Sequence, residues 1–219
     1  MKNHFYISYC GNKRNECDEL YLRMKKYIKK DTVFIEPFCG SCAVSYYLWL
    51  KHPTLKFILN DGDTFLCEMF NLIRNKTETR KLNKWYNKLM EKHITKEQYK
   101  EIVEEDNLYA KYLKKKFYAI REGMYQIRNG ITSFKKQDIT ECGIYDFFNN
   151  ANIDYKCIDA VELIKQEKDR KNNIIFIDPP YINTCNKQYN YSYNGNIYEY
   201  CFKNNIDDFK CVLFGILEK

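Results

Sequence analysis

Ile174-Ile175-Phe176-Ile177-Asp178-Pro179-Pro180-Tyr181 is an apolar run that ends abruptly in an acid, two prolines and an aromatic ring. The apolar residues are β-branched or aromatic and follow a polar segment, which reads as a strand buried on both faces. The prolines fix φ, remove two backbone donors and push each preceding residue into an extended conformation. Asp178 is thereby held on a stiff, non-helical projection at the carboxyl end of a strand. In open α/β sheets that edge is where ligands bind.

Working outward, Val33-Phe34-Ile35, Phe57-Ile58-Leu59, Tyr155–Ile158 and Cys211–Phe214 are similar short runs bounded by polar residues. Amphipathic stretches near 15–29, 42–51, 64–75 and 160–168 alternate with them. Such alternation implies a mostly parallel sheet with helices on both faces. Residues 76–150 break the pattern. They are rich in Lys, Glu and Tyr, and Leu108, Tyr112, Phe117, Ile120, Met124 and Ile127 form an apolar stripe at helical spacing. The segment is too long for a simple crossover. It is predicted to be an inserted helical subdomain, with 1–75 and 151–219 as the α/β core.

The chain has 219 residues, 45% of them apolar, which suffices for one such core with an insertion. A net charge of +7 fits either a polyanion partner or a Lys-rich solvated surface. No apolar run is long enough to cross a membrane, and the first residues show no secretory signal. An intracellular, reducing location is therefore expected, with the ten cysteines as free thiols. His4, His52 and His93 are too scattered to suggest a metal site.

A second motif follows the first strand: Glu36-Pro37-Phe38-Cys39-Gly40-Ser41-Cys42-Ala43-Val44. Small residues at a strand-to-helix turn let the backbone approach a ligand closely. The second strand ends at Asn60-Asp61, where a carboxylate either takes the hydroxyls of a ribose or caps the next helix. Cys39-Gly40-Ser41-Cys42 also has the form of a thiol redox motif at a helix N-terminus, which would lower the Cys39 pKa. A thiol oxidoreductase using Cys39 and Cys42 is thus an alternative, although it gives Asp178–Tyr181 no role.

Asp178 and its prolines suit a different chemistry. The lone pair of an exocyclic adenine amine is delocalised into the ring. Acceptors on Asp178 and on the Pro179 carbonyl would hold the two N–H groups and turn the lone pair toward an electrophilic methyl. Tyr181 offers a face for stacking an extruded base.

Together these motifs resemble the Dam-type (D12 class) adenine-N6 DNA methyltransferases. Tyr9-Cys10-Gly11-Asn12-Lys13-Arg14 is similar to the family's N-terminal motif, Glu36–Val44 to its glycine-containing motif, and Asp178-Pro179-Pro180-Tyr181 to its catalytic motif. The resemblance implies a Rossmann-like, S-adenosylmethionine-dependent fold with a target-recognition insertion. It further implies a site-specific enzyme, in a maintenance or restriction-linked role, that acts on double-stranded DNA without a metal. Tyr9, Lys13, Glu36, Phe38, Gly40, Asp61, Asp159 and Asp178 would surround the cofactor. Asp178, Pro179, Pro180 and Tyr181 would be catalytic. Arg121, Tyr125, Arg128 and Asn129 would contact DNA.

Two departures accompany the resemblance. Cys42 stands at the family's second motif glycine, where its side chain would crowd the methionine end of the cofactor. Family members also continue past the fifth strand, whereas Lys219 follows it closely. A shortened, non-catalytic DNA-binding remnant with an unpaired sheet edge is therefore a further alternative.

Overall fold

A computed structural model of the chain describes residues 13–92, 95–116, 138–180, 200 and 211–213. Five strands lie among them: β1 (Val33–Glu36), β2 (Lys56–Asn60), β3 (Asn152–Lys156), β4 (Asn173–Ile177) and β5 (Cys211–Leu213). They form one sheet in the order β3-β2-β1-β4-β5, and every pairing is parallel. The expected parallel α/β architecture is present.

The topology places the site. From β1 the chain moves outward through β2 to β3, then returns to lay β4 on the other side of β1. β1 and β4 therefore flank the point where the winding direction reverses. Their carboxyl ends carry Glu36 and Asp178, the edge where such sheets bind ligands.

Alternate side chains explain why the strands hold together. Val33, Ile35, Ile58, Ile175 and Ile177 pack on one face with Val161, Leu163 and Ile164. These last three come from α8 (Ala160–Glu167). Phe34 lies between Phe57 and Phe176, at centroid distances of 6.1 and 6.4 Å. The remaining core helices are α1 (Cys17–Met24), α2 (Ala43–Lys51) and the start of α3 (Thr64–Ile73). Tyr47 of α2 donates to Asp18 of α1, and the Tyr21 hydroxyl lies 3.2 Å from His52 Nε2. These contacts fix α1 and the 3-10 turn Lys13–Asn15 before it. The first predicted helix is shorter than 15–29: α1 ends at Met24 and gives way to a 3-10 turn at Lys25–Tyr27.

β3 begins three residues before the predicted 155–158 and ends at Lys156. It is a sheet edge, with Asn152 and Asp154 exposed, so its polar half carries no apolar-run signal. Cys157 and Ile158 have already left the sheet.

The described residues divide into two compact units: one includes Glu68–Asn149, the other Gly11–Cys67 and Asn150–Lys219. The first is helical. Its helices are the remainder of α3, α4 (Lys76–Glu91), α5 (Lys96–Glu104), α6 (Leu108–Lys116) and α7 (Gly143–Asn150). Asn75 caps α4 through Thr77 and Glu78 amides, and Thr95 with Gln98 forms a capping box on α5. Its core includes Leu82, Tyr86, Tyr112, Leu113, Phe147 and Phe148, with Phe70 stacked on Phe148 at 4.4 Å. Of the predicted stripe, Tyr112 is buried and Leu108 half-buried. Phe117, Ile120, Met124 and Ile127 lie outside the described residues.

Candidate active site

The turn after β1 is held by hydrogen bonds to the end of β2. Cys39 N donates to Asn60 O at 2.8 Å, and Gly40 N to Asp61 Oδ2 at 2.8 Å. Gly40 adopts φ 49°, a conformation that glycine reaches without steric cost. Asp61 is buried, and its other oxygen accepts from Asp63 N at 2.9 Å. The carboxylate read as a ribose ligand thus also serves as the anchor of the Gly40 turn.

Asn60 is a structural residue of this edge that the sequence reading passed over. It is fully buried, and its amide donates to Pro37 O (3.0 Å) and Ile158 O (3.1 Å), while its oxygen accepts from Ile158 N (3.0 Å). One side chain therefore joins the exits of β1, β2 and β3. Its sequence signal was an amide closing an otherwise apolar run. Asp159, just beyond, is exposed and caps α8 by accepting from Glu162 N at 3.1 Å. Phe38 is half-buried against the sheet core.

Glu36 ends β1, buried, and accepts from Ser45 Oγ of α2. Burial raises its carboxyl pKa to about 8; the Ser45 bond opposes this, and the charges of Asp178 and Asp61 add to it. At the end of β4, Lys13 Nζ lies 2.6 Å from Asp178 Oδ2. Lys13, expected around a cofactor, is thus placed on the acid of the Asp-Pro-Pro-Tyr motif. Asp178 Oδ1 is buried and, among the described residues, has no hydrogen-bond partner. Burial pushes the Asp178 carboxyl up, Lys13 pulls it down, and Glu16 adds a smaller upward push. Pro179 and Pro180, which follow it, are buried.

A model of the D12 class N6 adenine-specific DNA methyltransferases matches residues 9–210. The chain belongs to that family. No curated protein matches it. The family assignment makes this chain a DNA methyltransferase, and the Rossmann-like sheet accords with it.

In this D12-class chain, Cys42 takes the left-handed conformation (φ 57°, ψ 30°) as N-cap of α2. A β-carbon there costs roughly 1–2 kcal/mol, which explains why glycine suits the position. Cys39 and Cys42 are both free and buried, and burial raises both thiols. A nucleophilic, low-pKa Cys39 is the opposite of this environment, so the oxidoreductase alternative is set aside. The expectation that every cysteine is free also needs correction: Cys67 of α3 and Cys157 after β3 form a disulfide. Cys17, another residue without a sequence signal, points its thiol at Lys13 O (3.1 Å) and Ala43 O (3.7 Å), between the Lys13 turn and α2. Burial, then the Glu36 charge, raises it to about 12.

Tyr9, Arg121, Tyr125, Arg128, Asn129 and Tyr181 lie outside the described residues. Among the described residues no His, Cys, Asp or Glu cluster could hold a metal ion, and no helix is long and apolar enough to cross a membrane.

Proposed function

We propose that the chain transfers a methyl group from S-adenosylmethionine to N6 of an adenine extruded from duplex DNA. The observation that carries this reading is Asp178 Oδ1, a buried acceptor without a partner among the described residues, on a proline-stiffened end of the strand paired with β1. A buried, unpaired carboxylate oxygen costs folding energy, so it fits a group whose donor arrives with the substrate.

The residues fit the cofactor. The charges of Asp61 and Asp178 both act on Glu36, with Lys13 on Asp178 as counter-charge. A ligand carrying an ammonium and a sulfonium would favour ionisation of Glu36 there. When bound, the cofactor supplies an electrophilic methyl. Gly40 leaves room for close approach to the turn, and Asp61 holds that turn in place. Asp178 Oδ1 would accept from the adenine amine, with the Pro179 carbonyl taking its second N–H. Both orient the nitrogen lone pair. Tyr181 would stack on the base. Residues 76–150 would read the target, with Arg121, Tyr125, Arg128 and Asn129 on phosphates and base edges.

The test is transfer from labelled S-adenosylmethionine to unmethylated, adenine-rich duplex DNA, followed by nucleoside analysis. N6-methyladenine is the expected product. An unlabelled adenine pool would overturn the reading.

A further inference from the structure

Glu16 carries a second orphaned carboxylate oxygen in the same neighbourhood. Among the described residues its Oε2 is buried without a partner, like Asp178 Oδ1. Glu16 is the N-cap of α1, yet its side chain makes no capping bond. Its backbone N donates to Lys13 O at 3.1 Å, closing the 3-10 turn that follows Lys13. In such a turn, side chains three apart eclipse, so Glu16 stands on the same side as Lys13. Its charge is also felt at Asp178. Lys13 therefore has two acids within its neighbourhood and is paired with one of them, at 2.6 Å.

This pairing has a consequence for the proposed reaction. While Lys13 holds Oδ2, Asp178 is partly neutralised and accepts less strongly from an incoming amine. Swinging the flexible lysine stem to Glu16 would return the full carboxylate to the substrate and give Glu16 its missing donor. After the exchange the Asp178 carboxylate would be held by the amine N–H donors rather than by a cation.

We propose that Glu16 is a positioning residue that takes the Lys13 ammonium from Asp178 when the target amine enters. The inference rests on the adenine-amine reading of the site. Glu16 touches neither base nor cofactor; it acts through Lys13.

Its test is read without catalysis. Asp178→Asn keeps the shape of the side chain and removes the charge that holds Lys13. A crystal structure of this full-length variant should show Lys13 Nζ within about 4 Å of a Glu16 oxygen. Nζ remaining on residue 178, or turned to solvent, overturns the proposal. A kinetic arm separates positioning from folding. Glu16→Gln should lower kcat about tenfold with cofactor Kd unchanged, Glu16→Asp should restore part of the loss, and the loss should vanish in a Lys13→Met background. An equal loss with and without Lys13 also overturns it. A wild-type chain inert on DNA would instead count against the proposed function, and the Asp178→Asn structure would still decide this one.

Discussion

Asp178 and Glu36 are two carboxyls at adjacent strand ends with different tasks, and each gives a distinct prediction. Asp178 presents an acceptor with no protein donor. Asp178→Ala should therefore lower methyl transfer by at least about 100-fold, while isothermal titration shows cofactor binding largely retained; near-normal transfer would remove Asp178 from the chemistry. Glu36 is buried and its pKa is raised from 4.5 to about 8. The folded state then holds a proton that the unfolded state has released between these values. Stability is greatest below pH 4.5 for this group, and is lost as pH rises through 8, by up to about 1.4 kcal/mol per pH unit. Urea unfolding of the wild type against Glu36→Gln, from pH 5 to 9, isolates the effect. The difference between them should grow with pH in favour of the glutamine variant; a constant difference would mean that Glu36 titrates normally. Bringing a cation beside Glu36 would reverse the sign, favouring ionisation and releasing a proton. Both acids were visible in the sequence because each directly follows an apolar run. Their partners were not: Ser45 and Lys13 reach them only through the packing of α2 and the turn before α1.

At the scale of elements, the sheet edge is assembled by exchange between strand exits. β1, β2 and β4 were legible because central strands are buried on both faces and read as unbroken apolar runs. β3 was displaced in the reading because an edge strand keeps polar residues on its open side, as Asn152 and Asp154 do. What the sequence concealed was the role of Asn60. The amide was adjacent to the acid expected to hold a ribose, and its three hydrogen bonds run to Pro37 and to Ile158, which is 98 residues away. No local pattern encodes a partner at that separation. Asn60→Ala should leave the Pro37 and Ile158 backbone groups without their buried partner and cost about 2–4 kcal/mol in chemical denaturation. Asn60→Asp keeps the acceptor and loses both donors, so it should also destabilise. A cost under about 0.5 kcal/mol for the alanine variant would place it with ordinary surface substitutions and show that these exits hold together without the amide.

Across the whole molecule, the chain leaves the sheet unit at Cys67 and is back in it from Asn150. The disulfide joins Cys67 to Cys157, 90 residues apart, and so closes a loop that contains the entire helical excursion. The lack of a secretory signal in the first residues led to the expectation of free thiols; only the fold brings α3 beside the exit of β3. The bond's effect falls on the unfolded state. Tethering a loop of this length removes chain entropy there, worth up to about 4.6 kcal/mol in the loop-closure treatment. Native contacts on either side are otherwise intact, so the reduced protein should keep the same fold at lower stability. Unfolding in guanidinium with and without a thiol reductant should show a lower midpoint in the reduced sample. Cys67→Ala with Cys157→Ala should match that lower midpoint and respond no further to reductant. Equal midpoints with and without reductant in the wild type, alongside a thiol titration in denaturant that finds all ten cysteines reactive, would show the two sulfurs to be neighbours that stay unjoined. In that event the loop-closure entropy would drop out of the stability of the whole chain.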